Sequence, residues 1–127
     1  MSWYEARDYC KTLKYEHLNN AHLVEIYDLT KQTFLKEKIL EINSKTISWW
    51  IGLTDNEIEG VWKWAASGNI AKYISWGPGE PNNGGNGGQQ QNCAAIKSGI
   101  DYKWDDFWCD NTNSQYGHAM PICQFGF

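Results

Sequence analysis

Basic residues are too few in this chain to outnumber the acids: 11 Lys and Arg stand against 15 Asp and Glu, for a formal charge of -4. That balance argues against a nucleic-acid surface and suits cations. No apolar run approaches the roughly 20 residues that span a bilayer, so direct membrane insertion is not expected. Met1 is followed by Ser2-Trp3-Tyr4-Glu5, not by the basic and apolar regions of a signal peptide, and an export signal would have to lie outside this sequence. Histidine is scarce, and His17, His22 and His118 are scattered without a Ser or Cys neighbour that would suggest a nucleophile and its base, so no enzyme is expected. Cys10, Cys93, Cys109 and Cys123 form no C-x-x-C pair and have no His at finger spacing. Two disulfides are the expectation rather than a structural zinc site, and with them an oxidising, secreted or extracellular setting.

What is present is a globular composition: 127 residues, 42% hydrophobic and 15% aromatic, with eight Trp. The length suits one domain over residues 1–127, and large rings suit a fold with wide gaps between loops and sheet. Trp3, Ala6, Tyr9, Cys10 and Leu13 recur at helical spacing, with Ser2 and Glu5 as a capping box. A turn at Asn19-Asn20 precedes a short strand from Ala21 to Ile26, and a second helix is predicted from Leu29 to Ile42, with Phe34, Leu35, Ile39 and Ile42 inward. Asn43 and Ser44 stop it. Ile47 to Leu53 reads as the central strand, Asp55 to Gly60 as a turn and Val61 to Trp64 as the hairpin partner. Further order is expected at Cys93 to Ile96, around Trp104 and from Ala119 to Phe125. No internal repeats occur.

Between them, residues 77–92 hold six Gly and two Pro and almost nothing apolar. Such a stretch is too long for an ordinary connection, cannot order itself by burial, and points to a functional loop. Around it fall Glu80, Asn82, Asp105 and Asp106, with Asp55 and Glu59 elsewhere. Carboxylate and amide oxygens in a flexible set suit a hard cation, Ca²⁺ better than Mg²⁺. Pro81 fixes the turn between two of these residues, and an X-Pro bond in the cis form would aim Glu80 and Asn82 the same way.

Trp3-x-x-Ala6-x-x-x-Cys10, Trp50-Ile51-Gly52-Leu53, Glu80-Pro81-Asn82, Cys93, Trp104-Asp105-Asp106-x-x-Cys109 and Cys123, in this order, resemble the C-type lectin domain. The resemblance covers nearly the whole chain. It implies an α+β fold with two helices packed on two small antiparallel sheets, a long calcium-binding loop, and disulfides Cys10–Cys123 and Cys93–Cys109. The first strand of that fold would precede residue 1, leaving the last strand an open edge for pairing with another chain.

Glu80-Pro81-Asn82 resembles the family's mannose-type motif. A vicinal diol can place two hydroxyl oxygens on calcium while each hydroxyl donates to a carboxylate and accepts from an amide. Glu80 and Asn82 would serve one hydroxyl. For the second, the family's usual Glu and Asn read here as Gln91 and Asp105, so the roles would be exchanged, Asp105 accepting and Gln91, or Gln90 or Asn92 in its place, donating. The implied principal calcium ligands are Glu80, Asn82, Gln91, Asp105 and Asp106, which are also the sugar contacts. Asp55 and Glu59 match an auxiliary calcium pair whose partners here would be the amides Asn83, Gln91 and Asn92. Trp108 or Tyr102 would offer a stacking ring near the rim.

The function so implied is Ca²⁺-dependent binding of glycans or monosaccharides with mannose-, glucose- or fucose-type vicinal hydroxyls. Single sites of this kind hold about -4 kcal/mol, near millimolar, which calls for several copies and hence a homo-oligomer or tandem domains. The alternative is a lectin-like domain that binds protein, ice or mineral.

Overall fold

A computed structural model describes residues 1–18, 21–42, 45–82, 91–110 and 119–126. Asn19, Asn20, Asn43, Ser44, Asn83, Gln90 and His118, named above, lie outside the described residues.

The first helix, α1, spans Trp3–Thr12. Ser2 starts it: its side chain accepts from the Glu5 N–H at 3.0 Å while Glu5 Oε1 accepts from the Ser2 N–H at 2.9 Å. Trp3, Ala6 and Cys10 form its buried stripe. Tyr9, expected inward, is exposed, because it sits about 100° round the helix from Cys10. The second helix, α2, spans Leu29–Ile42. Phe34 at 51% and Ile42 at 72% exposure correct the sequence expectation for this helix. Its inner stripe is instead Gln32, Leu35 and Ile39. Gln32 tolerates burial because both ends of its amide are hydrogen-bonded, Nε2 donating to the Tyr102 carbonyl at 2.8 Å and Oε1 accepting from Trp104 Nε1 at 2.9 Å.

The strands are β1 (Ala21–Leu23), β2 (Ser48–Thr54), β3 (Lys63–Trp64), β4 (Cys93–Lys97), β5 (Lys103–Phe107), β6 (Ala119–Pro121) and β7 (Cys123–Phe125). One sheet runs β3-β2-β4-β5 with β6 also on β2, and the other pairs β1 with β7. β1 is shorter than expected, β3 begins two residues later, and Ile47 lies exposed ahead of β2. The single last strand expected over 119–125 is two strands. Its first half runs parallel to β2 at Ser48, Trp49 and Trp50, the part of β2 that β3 does not reach, and its second half joins β1 in the other sheet. The larger sheet is therefore mixed rather than wholly antiparallel.

β2 is apolar almost throughout because both faces are covered. Trp49, Ile51 and Leu53 enter one core with Leu35 and Ile39 of α2, whereas Trp50 enters the other with Trp3, Ala6 and Cys10 of α1. Gly52 is required where the two sheets meet: its N–H donates to the Val24 carbonyl at 2.9 Å, and a Cβ there would stand 2.9 Å from the Leu23 carbonyl oxygen. Disulfides join Cys10 to Cys123, 113 residues apart, and Cys93 to Cys109, 16 apart. No described helix is long and apolar enough to cross a membrane.

Candidate functional site

Both ends of the long loop are fastened before its polar residues begin. At the entry, the Trp104 N–H donates to the Ser75 carbonyl at 2.8 Å and the Gly77 N–H donates to the Trp104 carbonyl at 2.9 Å. The Trp104 ring meets those of Trp64, Tyr73 and Trp76 edge-on, with centroids 5.8–6.0 Å apart. Such contacts anchor the loop through burial and ring geometry, which the loop's own residues do not supply. At the exit, the Asn92 carbonyl accepts from the Asp55 N–H at 3.0 Å and from Thr54 Oγ1 at 2.7 Å, and Cys93–Cys109 ties β4 to the end of β5.

This frame carries Glu80 to Asp105 and Asp106. The Glu80 N–H donates to the Gly77 carbonyl at 3.0 Å, the Glu80–Pro81 peptide bond is cis, and the Asn82 N–H donates to Asp106 Oδ1 at 3.1 Å. Asn82 Nδ2 donates to Glu80 Oε1 at 3.0 Å, leaving Glu80 Oε2 buried without a hydrogen-bond partner. Glu80, Asp105 and Asp106 each offer a carboxylate oxygen within 4.8 Å of the others, the one such group of three among the described residues. Asp106 is 1% exposed. Burial pushes the Glu80 carboxyl up to about 9, helped by the adjoining Asp106 and Asp105 carboxyls. Three carboxylates at this spacing with one orphaned buried oxygen fit a hard divalent cation with oxygen ligands.

The pH dependence has a definite sign. With no divalent cation bound, folding holds the Glu80 proton more tightly than the unfolded chain does. Stability is thus full below the ordinary carboxylate range and lost as pH rises from there to about 9. Thermal unfolding in chelator is expected to show a midpoint that falls between pH 5 and pH 8.5, with Glu80→Gln flattening the slope. A midpoint equally steep in the variant would remove Glu80 as its source.

Gln91 is buried at the loop exit. Asp55 and Glu59 lie together in the turn after β2: Asp55 Oδ2 and Glu59 Oε2 both accept from the Gly60 N–H, at 2.9 and 3.2 Å, and Asp55 Oδ1 is buried without a partner. Burial first, then Glu59, pushes the Asp55 carboxyl up to about 6. Tyr102 packs against Trp49 with Lys36 over its ring, on the α2 side. The Trp108 ring stands 4.8 Å from that of Phe107.

Sequence reasoning gave Lys97 no role. Its Nζ lies 2.7 Å from Asp105 Oδ2 and 4.5 Å from the centre of the Phe107 ring. The signal was the two-residue period of paired strands: Ala95 faces Asp105 across the ladder, so Lys97, two residues on, is its diagonal neighbour on the same face.

The family model described as the Lectin C-type domain matches residues 1–116. The chain is 33% identical over 114 residues to human C-type lectin domain family 4 member K, a match that covers 87% of this chain and only 30% of that protein. The C-type lectin CEL-I from Cucumaria echinata superposes with a TM-score of 0.78 at 25% identity, over 100% of this chain and 84% of that one. The C-type carbohydrate-recognition domain of cow CD23, solved in the presence of a GlcNAc2Man3 oligosaccharide, superposes with a TM-score of 0.67 at 32% identity, over 86% of this chain and 71% of that one. With the motifs, the two-helix fold and both disulfides in agreement, the chain belongs to the C-type lectin domain family.

Proposed function

We propose that this domain binds Ca²⁺ through Glu80, Asn82, Asp105 and Asp106, with Gln91, and through it sugars with mannose-type vicinal hydroxyls. The family is one of binding domains and not of enzymes. The observation that carries the proposal is the convergence of three carboxylates within 4.8 Å beside the buried, unpartnered Glu80 Oε2. Bound calcium would supply coordination to two sugar hydroxyl oxygens. The chain's own groups complete each hydroxyl: Glu80 accepts and the Asn82 amide donates on one, Asp105 accepts and Gln91 donates on the other. Asp55 and Glu59, with Asp55 Oδ1 unpartnered, form the auxiliary cation pair. A single domain over residues 1–127, secretion, and several copies acting together belong to the same reading, since one shallow site of roughly millimolar affinity retains a glycan poorly. The sugar-bearing conditions of the cow CD23 domain support it by likeness.

A second reading, a domain of this fold that binds protein, ice or mineral, is favoured by one observation: Asp105 is ion-paired with Lys97 at 2.7 Å. Retention on immobilised mannose separates the two. Binding in calcium and elution by a chelator are expected. A folded protein that passes straight through in calcium overturns the sugar reading and leaves the second.

A further inference from the structure

Of the described ion pairs, Lys97–Asp105 is the least exposed: its side chains are 26% and 17% accessible, whereas every other pair has at least one partner above 60%. Three constraints hold the ammonium there. The strand register puts Lys97 and Asp105 on one face of the β4–β5 ladder, the contact distance is 2.7 Å, and the Phe107 ring lies 4.5 Å beneath it. A lysine so fixed differs from a solvated surface lysine, whose ion pair is worth little and is easily given up.

Asp105 is also one of the three acids whose carboxylate oxygens lie within 4.8 Å of one another, with Glu80 and Asp106. An ammonium on one of its oxygens adds a positive charge to the cluster and raises the potential where a cation would sit. It also occupies a lone pair on Asp105 Oδ2. Both effects oppose a divalent ion, and their size follows from charges a few ångströms apart in a partly dry setting.

We infer that Lys97 is an affinity-setting residue: a built-in countercharge that keeps calcium binding at this site weak, so that the domain loads only at high calcium and releases it readily as calcium falls. The inference rests on calcium binding by the Glu80 cluster. Without calcium, the same ammonium gives Asp105 a counter-ion and stabilises the loop base.

Calorimetric titration of CaCl₂ into the intact domain, and thermal unfolding in chelator, test it together. Lys97→Met and the more polar Lys97→Gln are each expected to bind calcium about tenfold more tightly than the unsubstituted protein. Both should also unfold at lower temperature in chelator. Lys97→Arg, which keeps the charge, should retain the original affinity, and the gain in the neutral variants should shrink as salt is raised. Unchanged or weaker calcium binding in both neutral variants overturns the inference while leaving calcium binding intact. Absence of calcium binding in every form overturns the calcium reading itself. Tight binding by the neutral variants alone supports the inference in its strongest form.

Discussion

Asp106→Asn is expected to lower calcium affinity by about 100-fold and to abolish retention on mannose, because ligand charge count governs the strength of an oxygen site for this ion. The change is close to isosteric, and the amide oxygen can still accept from the Asn82 N–H that Asp106 Oδ1 now takes at 3.1 Å. It therefore removes charge while leaving the loop's attachment in place. Asp106 is 1% exposed, so water screens its carboxylate little, and its loss cannot be made good by a neighbour swinging in. Calorimetry with CaCl₂ checks the result, with near-ultraviolet circular dichroism to confirm packing. An affinity within threefold of the original would take Asp106 out of the ligand set.

Removing the long disulfide as Cys10→Ser with Cys123→Ser is expected to cost about 4–5 kcal/mol and to lower the unfolding midpoint by about 15 °C. The bond joins residues 113 apart, so its loss frees nearly the whole chain in the unfolded state, where the loop-entropy account places the effect. It also unties α1 from β7 at a place where Cys10 is fully buried among Trp3, Ala6 and Trp50. The Cys93–Cys109 bond closes only 16 residues, and the same account gives it about 3 kcal/mol. Scanning calorimetry of the double-serine protein measures the larger effect. A midpoint within a few degrees of the original would mean that the two cores hold the termini together without the bond.

Local patterns carried much of the architecture. The capping box at Ser2 and Glu5, the helical stripe and the apolar run of β2 are each set by near neighbours in the chain, and each occurs, the stripe narrowed to Trp3, Ala6 and Cys10 with Tyr9 turned to solvent. Phe34 and Ile42 failed because helical spacing locates a stripe without saying how wide a face the fold will cover. Gln32 was missed because burial of an amide depends on the Tyr102 carbonyl and the Trp104 ring nitrogen, 70 and 72 residues away. The division of residues 119–125 between two sheets was hidden for a similar reason, since both halves are short extended segments and only the open half of β2 distinguishes them.

The sequence by itself determined the family, the two helices and the central strand, because motif order and short-range periodicity are properties of the chain. Tertiary structure alone decided that Glu80, Asp105 and Asp106 converge within 4.8 Å while Lys97 closes on Asp105. Those distances depend on the β4–β5 register and on a loop anchored at Trp104 and Asn92. Electrostatic energy at a site varies with such distances and with burial, and neither can be read from the order of residues.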